Sequence, residues 1–195
     1  MADRIGLLGG TFDPVHNGHV SIFRSFLNSD FIDELWILLT PDPPHKQGRN
    51  HSSYADRLNM LHLAVADIGN ISVSTIENEL PKPSFTIQTL RALKEKYSNK
   101  NFHYCIGGDS LSSFHLWKDY TSILQEVDLL VAERPDFNHS KISEDILKHT
   151  VTISHEPIRV SSTDIRERIK LGNSISDLVP QGVEDYILTK RLYQQ

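Results

Sequence analysis

One cysteine in the whole chain, Cys105, excludes an intramolecular disulfide, so stability has to come from buried apolar surface. That scarcity fits a reducing compartment. Cys105 sits in the apolar run Phe102-His103-Tyr104-Cys105-Ile106 and reads as a small core residue rather than a nucleophile. Positive charge is in deficit too: 20 Lys and Arg face 25 Asp and Glu, a formal net charge of -5. An extended nucleic-acid footprint is therefore not expected, although a few placed cations could still hold a small anion. No apolar run approaches the ~20 residues that span a bilayer. Met1-Ala2-Asp3-Arg4 leads straight into a strand-like run and carries no signal-peptide pattern. The expectation is a cytoplasmic protein with neither a membrane nor a nucleic-acid partner, its oligomeric state left open. Internal repeats, low-complexity tracts and linkers are also missing, which predicts a single domain over 1–195, long enough to bury a substantial core.

What is present is an alternation. Short runs rich in Ile, Leu and Val predict strands at Arg4–Gly9, Leu35–Thr40, Ile71–Ile76, Phe102–Gly107, Leu129–Glu133 and Val151–Ser154. Most lack strict alternation, as strands buried on both faces do. Between them, helical spacing recurs at Val20 to Leu27, at Leu58, Leu61, Val65 and Ile68, and at Ile87, Leu90, Leu93 and Tyr97. Ile165 and Ile169 mark another helix behind Ser161 and Asp164, an S-x-x-D start, and Val183 to Leu192 a last one. Strand and helix in turn predict an α/β fold: a Rossmann-like, doubly wound, mostly parallel sheet with helices on both faces. Ligands of such sheets bind beyond the carboxyl ends of the strands.

The first of those ends carries Gly9-Gly10-Thr11-Phe12-Asp13-Pro14-Val15-His16-Asn17-Gly18-His19. His16 and His19 lie three apart, hence on one face of a first helical turn. That turn presents unpaired amides and the positive end of the helix dipole, and Gly18 lets a ligand approach the backbone. Imidazole can donate to phosphoryl oxygens as charge grows in a transition state. Two histidines could also be half of a metal site, but no further ligands are grouped with them in sequence. The dinucleotide fingerprint G-x-G-x-x-G does not follow this strand. The stretch reads as a nucleotide-phosphate site.

The same stretch resembles the H-x-G-H signature of the nucleotidyltransferase superfamily, and its G-G-T-F-D-P form is most similar to the bacterial nicotinate mononucleotide adenylyltransferases. Later segments follow that family's order. Pro43-Pro44-His45-Lys46, in a polar loop, resembles the substrate loop whose lysine reaches the phosphates. Pro83-Ser84-Phe85-Thr86-Ile87-Gln88-Thr89-Leu90 resembles S-Y-T-x-x-T-L, with Phe85 in place of the usual tyrosine and Leu80 where an arginine is common. From the residues alone, Ser84 and Thr86 serve equally as hydroxyls at a helix start. Gly107-Gly108-Asp109-Ser110 before Trp117-Lys118 resembles the G-x-D and W-K pair. An aspartate there can hold a ribose hydroxyl or hydrated Mg²⁺, and a tryptophan face can hold a pyridine ring or simply pack. Arg134-Pro135 resembles the family's arginine near the nucleotide phosphates. Ser161-Ser162-Thr163-Asp164-Ile165-Arg166 resembles I-S-S-T-x-I-R, in which hydroxyls, helix-start amides and an arginine bind terminal phosphate.

The resemblance implies transfer of AMP from ATP to nicotinate mononucleotide, giving nicotinate adenine dinucleotide and pyrophosphate. It implies His16, His19 and Arg166 as catalytic residues. ATP contacts would come from Gly9, Gly10, Thr11, Phe12, His16, Gly18, His19, Gly107, Asp109, Arg134, Ser161, Ser162, Thr163 and Arg166. Acceptor contacts would come from Thr11, Lys46, Ser84, Phe85, Thr86, Asp109 and Trp117. Mg²⁺ would arrive on the ATP phosphates, with no protein cage of its own. The rival readings are the same chemistry on nicotinamide mononucleotide or another phosphorylated acceptor, and a nucleotide-binding module without catalysis. A class I aminoacyl-tRNA synthetase is remote, since no K-M-S-K-S-like segment occurs.

Overall fold

The computed structural model describes residues 3–41, 52–133 and 137–194. Six strands form one sheet: β1 (Arg4–Gly10), β2 (Glu34–Leu39), β3 (Ile71–Ser74), β4 (Asn101–Gly107), β5 (Leu129–Glu133) and β6 (Thr150–Ser154). Their order is β3-β2-β1-β4-β5-β6, and every neighbouring pair is parallel. All six expected strands are present, with ends displaced by no more than two residues. β3 stops at Ser74 because Ile76–Asn78 tightens into a 3₁₀ turn that buries Ile76 and Glu77.

Among the described residues eight α-helices connect or follow the strands: α1 (Asn17–Leu27), α2 (Tyr54–Val65), α3 (Thr86–Lys96), α4 (Gly108–Ser112), α5 (Tyr120–Glu126), α6 (Glu144–Lys148), α7 (Ser162–Lys170) and α8 (Gln181–Lys190). Successive residues of a strand point to opposite faces, and the sheet uses both. Leu35, Ile37 and Leu39 of β2 pack with Phe23 and Phe26 of α1, Leu61 of α2 and Ile165 of α7. Trp36 and Leu38 of the same strand join Leu90 and Leu93 of α3, Phe114 and Ile123 on the other side. That double burial is why β2 reads as an apolar run without alternation. The outer strands β3 and β6 are buried at few positions, so their signal is weaker. Apolar spacing runs on to Ile68, yet α2 ends at Val65. Asn70, in the left-handed region at φ 57°, turns the chain into β3 instead.

The connection from β1 to β2 crosses one face and that from β3 to β4 crosses the other, so β1 and β4 lie side by side with their departing loops diverging. The crevice at their carboxyl ends is the ligand position of a doubly wound sheet. Another cleft, beside Asp3, Asp33 and Glu34, lies at the amino ends of the strands, away from that crevice.

Gly6 marks how tightly β1 is held. A Cβ there would stand 2.8 Å from Ile32 Cδ1 and 2.9 Å from Cys105 Sγ. Gly6→Ala should therefore destabilise the protein by about 1–3 kcal/mol, the usual cost of overpacking a core. Urea denaturation checks this, and an unchanged midpoint would contradict it.

Candidate active site

The turn leaving β1 is shaped by aromatic packing. Phe12 is buried with φ 48°, a conformation uncommon for a bulky residue and held here by its surroundings. Its ring stands edge-on to His19 at 5.0 Å and to Phe23 at 5.9 Å. A Cβ on Gly10 would fall 2.6 Å from that ring, so the second glycine of the pair is what lets Phe12 fold back. Gly9 fits under the Tyr104 hydroxyl, 2.9 Å from where its Cβ would be. Gly18 makes room in the same way between Val160 and the His16 ring.

His16 caps α1, and the two histidines satisfy each other's backbone. The His16 amide donates to His19 Nδ1 at 3.2 Å; the His19 amide, bonded to the His16 carbonyl at 2.8 Å, also reaches His16 Nδ1 at 3.3 Å. The rings stack at 3.7 Å with 25° between their planes. An imidazole whose Nδ1 accepts must carry its proton on Nε2 if it is neutral. For His16 neutrality follows from burial, which lowers its pKa to about 4. His16 thus offers an Nε2–H donor as a neutral dipole, at the amino end of a helix.

The start of α7 is docked onto the same turn. Ser161 caps the helix by accepting from the Asp164 amide at 3.1 Å, as the S-x-x-D spacing predicts. Ser162 Oγ donates to the Pro14 carbonyl at 2.9 Å. Arg166 Nη1 donates to the Asp13 carbonyl at 2.7 Å and Nη2 to Thr163 Oγ1 at 3.2 Å. Residues 150 positions apart in the chain are so brought to one place. Asp13 itself is buried, and its Oδ1 accepts from Ser52 Oγ and from the Tyr193 hydroxyl, each at 2.6 Å.

The segment at the start of α3 converges on Tyr104. Thr86 is hydrogen-bonded to the Tyr104 hydroxyl, whose ionisation burial suppresses, and Trp117 meets the Tyr104 ring edge-on at 5.9 Å. Trp117 also packs on Phe114 at 5.2 Å, so the sequence alternatives of packing and ligand contact are compatible. Phe85 caps α3, its amide donating to Gln88 Oε1 at 3.0 Å, and Lys118 Nζ stands 4.3 Å from its ring centroid. Ser84 is half-buried immediately before it. Gly107 and exposed Asp109, where β4 runs into α4, line a cleft of about 460 Å³ with Ile22, Ala132 and His155. Lys46 and Arg134 lie outside the described residues.

Three contributors escape a reading of the sequence. Arg57 is buried on the apolar stripe of α2 with Met60 and Leu61, and it donates to the carbonyls of Thr11, Thr40 and Pro41 at 2.8–2.9 Å. An arginine at helical spacing from core residues was the available signal. Glu77 is buried under α3, accepting from Thr89 Oγ1 at 3.1 Å and held by Thr40, with its pKa raised by burial. No pattern announces Glu77. Tyr104 looked like one more core aromatic, although its hydroxyl needs a partner.

Fold and site together define a nucleotidyltransferase: a parallel sheet whose switch point carries a stacked histidine pair, with a Ser-Thr-Arg helix start docked on the same turn. The chain belongs to the cytidylyltransferase-like family, which matches residues 7–168. It is 38% identical over 192 residues to the probable nicotinate-nucleotide adenylyltransferase of Halalkalibacterium halodurans, covering 98% of this chain and 91% of that protein. Likeness to the proteins of the same name from Bacillus mycoides and Cytophaga hutchinsonii is 36% and 35%, over 98% of each relative. Among solved structures, the Plasmodium falciparum nicotinic acid mononucleotide adenylyltransferase complexed with NaAD gives a TM-score of 0.80 over 98% of this chain and 97% of that one. At 22% identity that likeness shows the fold.

Two measurements test this geometry. In an NMR titration the His16 ring should gain its proton with a midpoint near 4, and a midpoint near the ordinary 6.5 would contradict its burial. Between those values the unfolded chain binds a proton at His16 that the folded chain refuses, so this residue's contribution to stability is complete above pH 6.5 and fades as the pH falls toward 4. Arg57→Met should cost about 2–5 kcal/mol in chemical denaturation, because three half-buried carbonyls lose a buried charged donor. A loss below about 1 kcal/mol would mean that water replaces it.

Proposed function

We infer that the protein transfers AMP from ATP to nicotinate mononucleotide, releasing pyrophosphate and nicotinate adenine dinucleotide. The observation that carries this reading is the stacked His16–His19 pair at the sheet's switch point, its buried member His16 neutral, with Ser162 and Arg166 of α7 docked on the turn before it. An oxygen of the acceptor's phosphate attacks the α-phosphorus in line. The new P–O bond forms as the bond from the α-phosphorus to the α,β-bridging oxygen breaks, and pyrophosphate departs with the electron pair. A phosphate monoester is largely dianionic at neutral pH, its second pKa being about 6, so no general base is required. Catalysis reduces to alignment and charge stabilisation.

His16 and His19 serve the α- and β-phosphates through Nε2–H, donating to oxygens whose negative charge grows in the transition state. A neutral donor at His16 suits the task, since it does not bind product pyrophosphate as tightly as a fixed cation would. Ser161, Ser162 and Thr163, with the first amides of α7 and Arg166, hold the leaving pyrophosphate. Gly9, Gly10, Thr11, Phe12 and Gly18 shape the phosphate path, and Gly107, Asp109 and Arg134 complete the nucleotide contacts. Mg²⁺ enters as part of the substrate, on the ATP phosphates.

Thr11, Asp109 and Lys46 hold the acceptor's ribose and phosphate, and Trp117 with Ser84, Phe85 and Thr86 holds its pyridine. An acid is favoured over an amide on electrostatic grounds. The amino end of α3 begins at Thr86, and Lys118 stands over Phe85, so positive potential surrounds the ring substituent.

Assays with ATP and paired acceptors test the reading. Turnover with nicotinate mononucleotide should exceed that with the nicotinamide analogue, and faster use of the amide would sink the acceptor assignment. His19→Ala should lower kcat by about 10²–10³-fold while ATP affinity changes only a few-fold, as for loss of a transition-state donor. Equal losses in binding and turnover would remove the transition-state role.

A further inference from the structure

We propose that Tyr193, near the carboxyl end of the chain, is a positioning residue for the transfer step, acting through Asp13 on the turn that carries the histidine pair. The proposal rests on the adenylyl-transfer reading above. Asp13 is 2% exposed, and a buried carboxylate has to be met by donors. The Tyr193 hydroxyl and Ser52 Oγ both donate to its Oδ1 at 2.6 Å, and the Ser52 amide adds a longer contact at 3.3 Å. Arg166 takes the carbonyl of the same residue at 2.7 Å. Asp13 is therefore fixed from two directions, by its side chain and by its main chain, three residues before His16.

The donor is brought there deliberately by the backbone. Arg191 and Tyr193 have φ of 52° and 63°, left-handed conformations that cost free energy for residues other than glycine. They double the chain back after α8, with the Leu192 amide bonded to the Ile187 carbonyl at 3.1 Å, and so aim the phenol at the turn. The Tyr193 ring packs against the core beneath α1, α2 and α8. Burial first, and then the neighbouring Asp13, raise the phenol's pKa above that of an exposed tyrosine, so it remains a donor across the working pH range. The terminal segment thus braces the one turn whose displacement would move both Nε2–H groups relative to the α-phosphate. Misplacement on the ångström scale is enough to slow an aligned displacement by orders of magnitude.

Tyr193→Phe keeps the ring and removes the hydroxyl. The expected result is a kcat at least about tenfold lower, with KM for ATP and acceptor within about twofold of wild type and a thermal midpoint shifted by no more than about 3 °C. Adding Tyr193→Phe to Asp13→Ala should cost nothing further, because both act through one contact. Side-chain ¹⁵N spectra of His16 and His19 should shift in Tyr193→Phe without substrate. Unchanged kcat, multiplying losses in the double variant, or unperturbed imidazole spectra would each overturn the proposal. Failure of the wild-type protein to make dinucleotide would instead remove the functional reading, and the imidazole spectra would still decide the positioning role.

Discussion

Six strands running the same way leave all of their carboxyl ends on a single rim, and the rest of the molecule follows from that constraint. A parallel sheet cannot turn back by hairpins, so each strand must be followed by a crossover that covers a face. Where crossovers diverge, between β1 and β4, the rim opens. The Gly9–His19 stretch departs from β1 there, Gly107 and Asp109 depart from β4, and the α7 start is docked across from them. Chemistry-bearing residues from opposite ends of the chain meet because the topology gives them one place to go.

In the proposed mechanism His16 and His19 do two jobs with two nitrogens. Each Nδ1 closes the amino end of α1, a structural task usually given to serine or aspartate. On neutral His16 that bond leaves the proton on Nε2. An aspartate cap would repel phosphate, and a serine would lack the second, directed donor. Stacking at 3.7 Å further restricts the rings, so the donors are aligned before substrate arrives.

The strands were legible because β2 and β5 are apolar on both faces, and the main helices because their stripes are long. The short helices α4, α5 and α6 were not, since five to seven residues are too few to establish a period. The motif residues could be named in order, and the structure adds what joins them. Arg57 ties the ends of β1 and β2 through main-chain carbonyls, which leave no trace in sequence. Tyr104 lies in an apolar run and Tyr193 beyond the last helix, yet both hydroxyls bond partners distant in the chain. Pairings made across folded distance are invisible to spacing.

Burial of His16 has a consequence for acidity. With its proton uptake pushed down to about 4, the ring stays unchanged through the mildly acidic range. The attacking phosphate monoester does not, since its second ionisation falls near 6. As a solution is acidified, the nucleophile is therefore blunted well before this donor is altered. The acid limb of the reaction is written into the substrate, and the protein has moved one of its most pH-sensitive side chains out of that window.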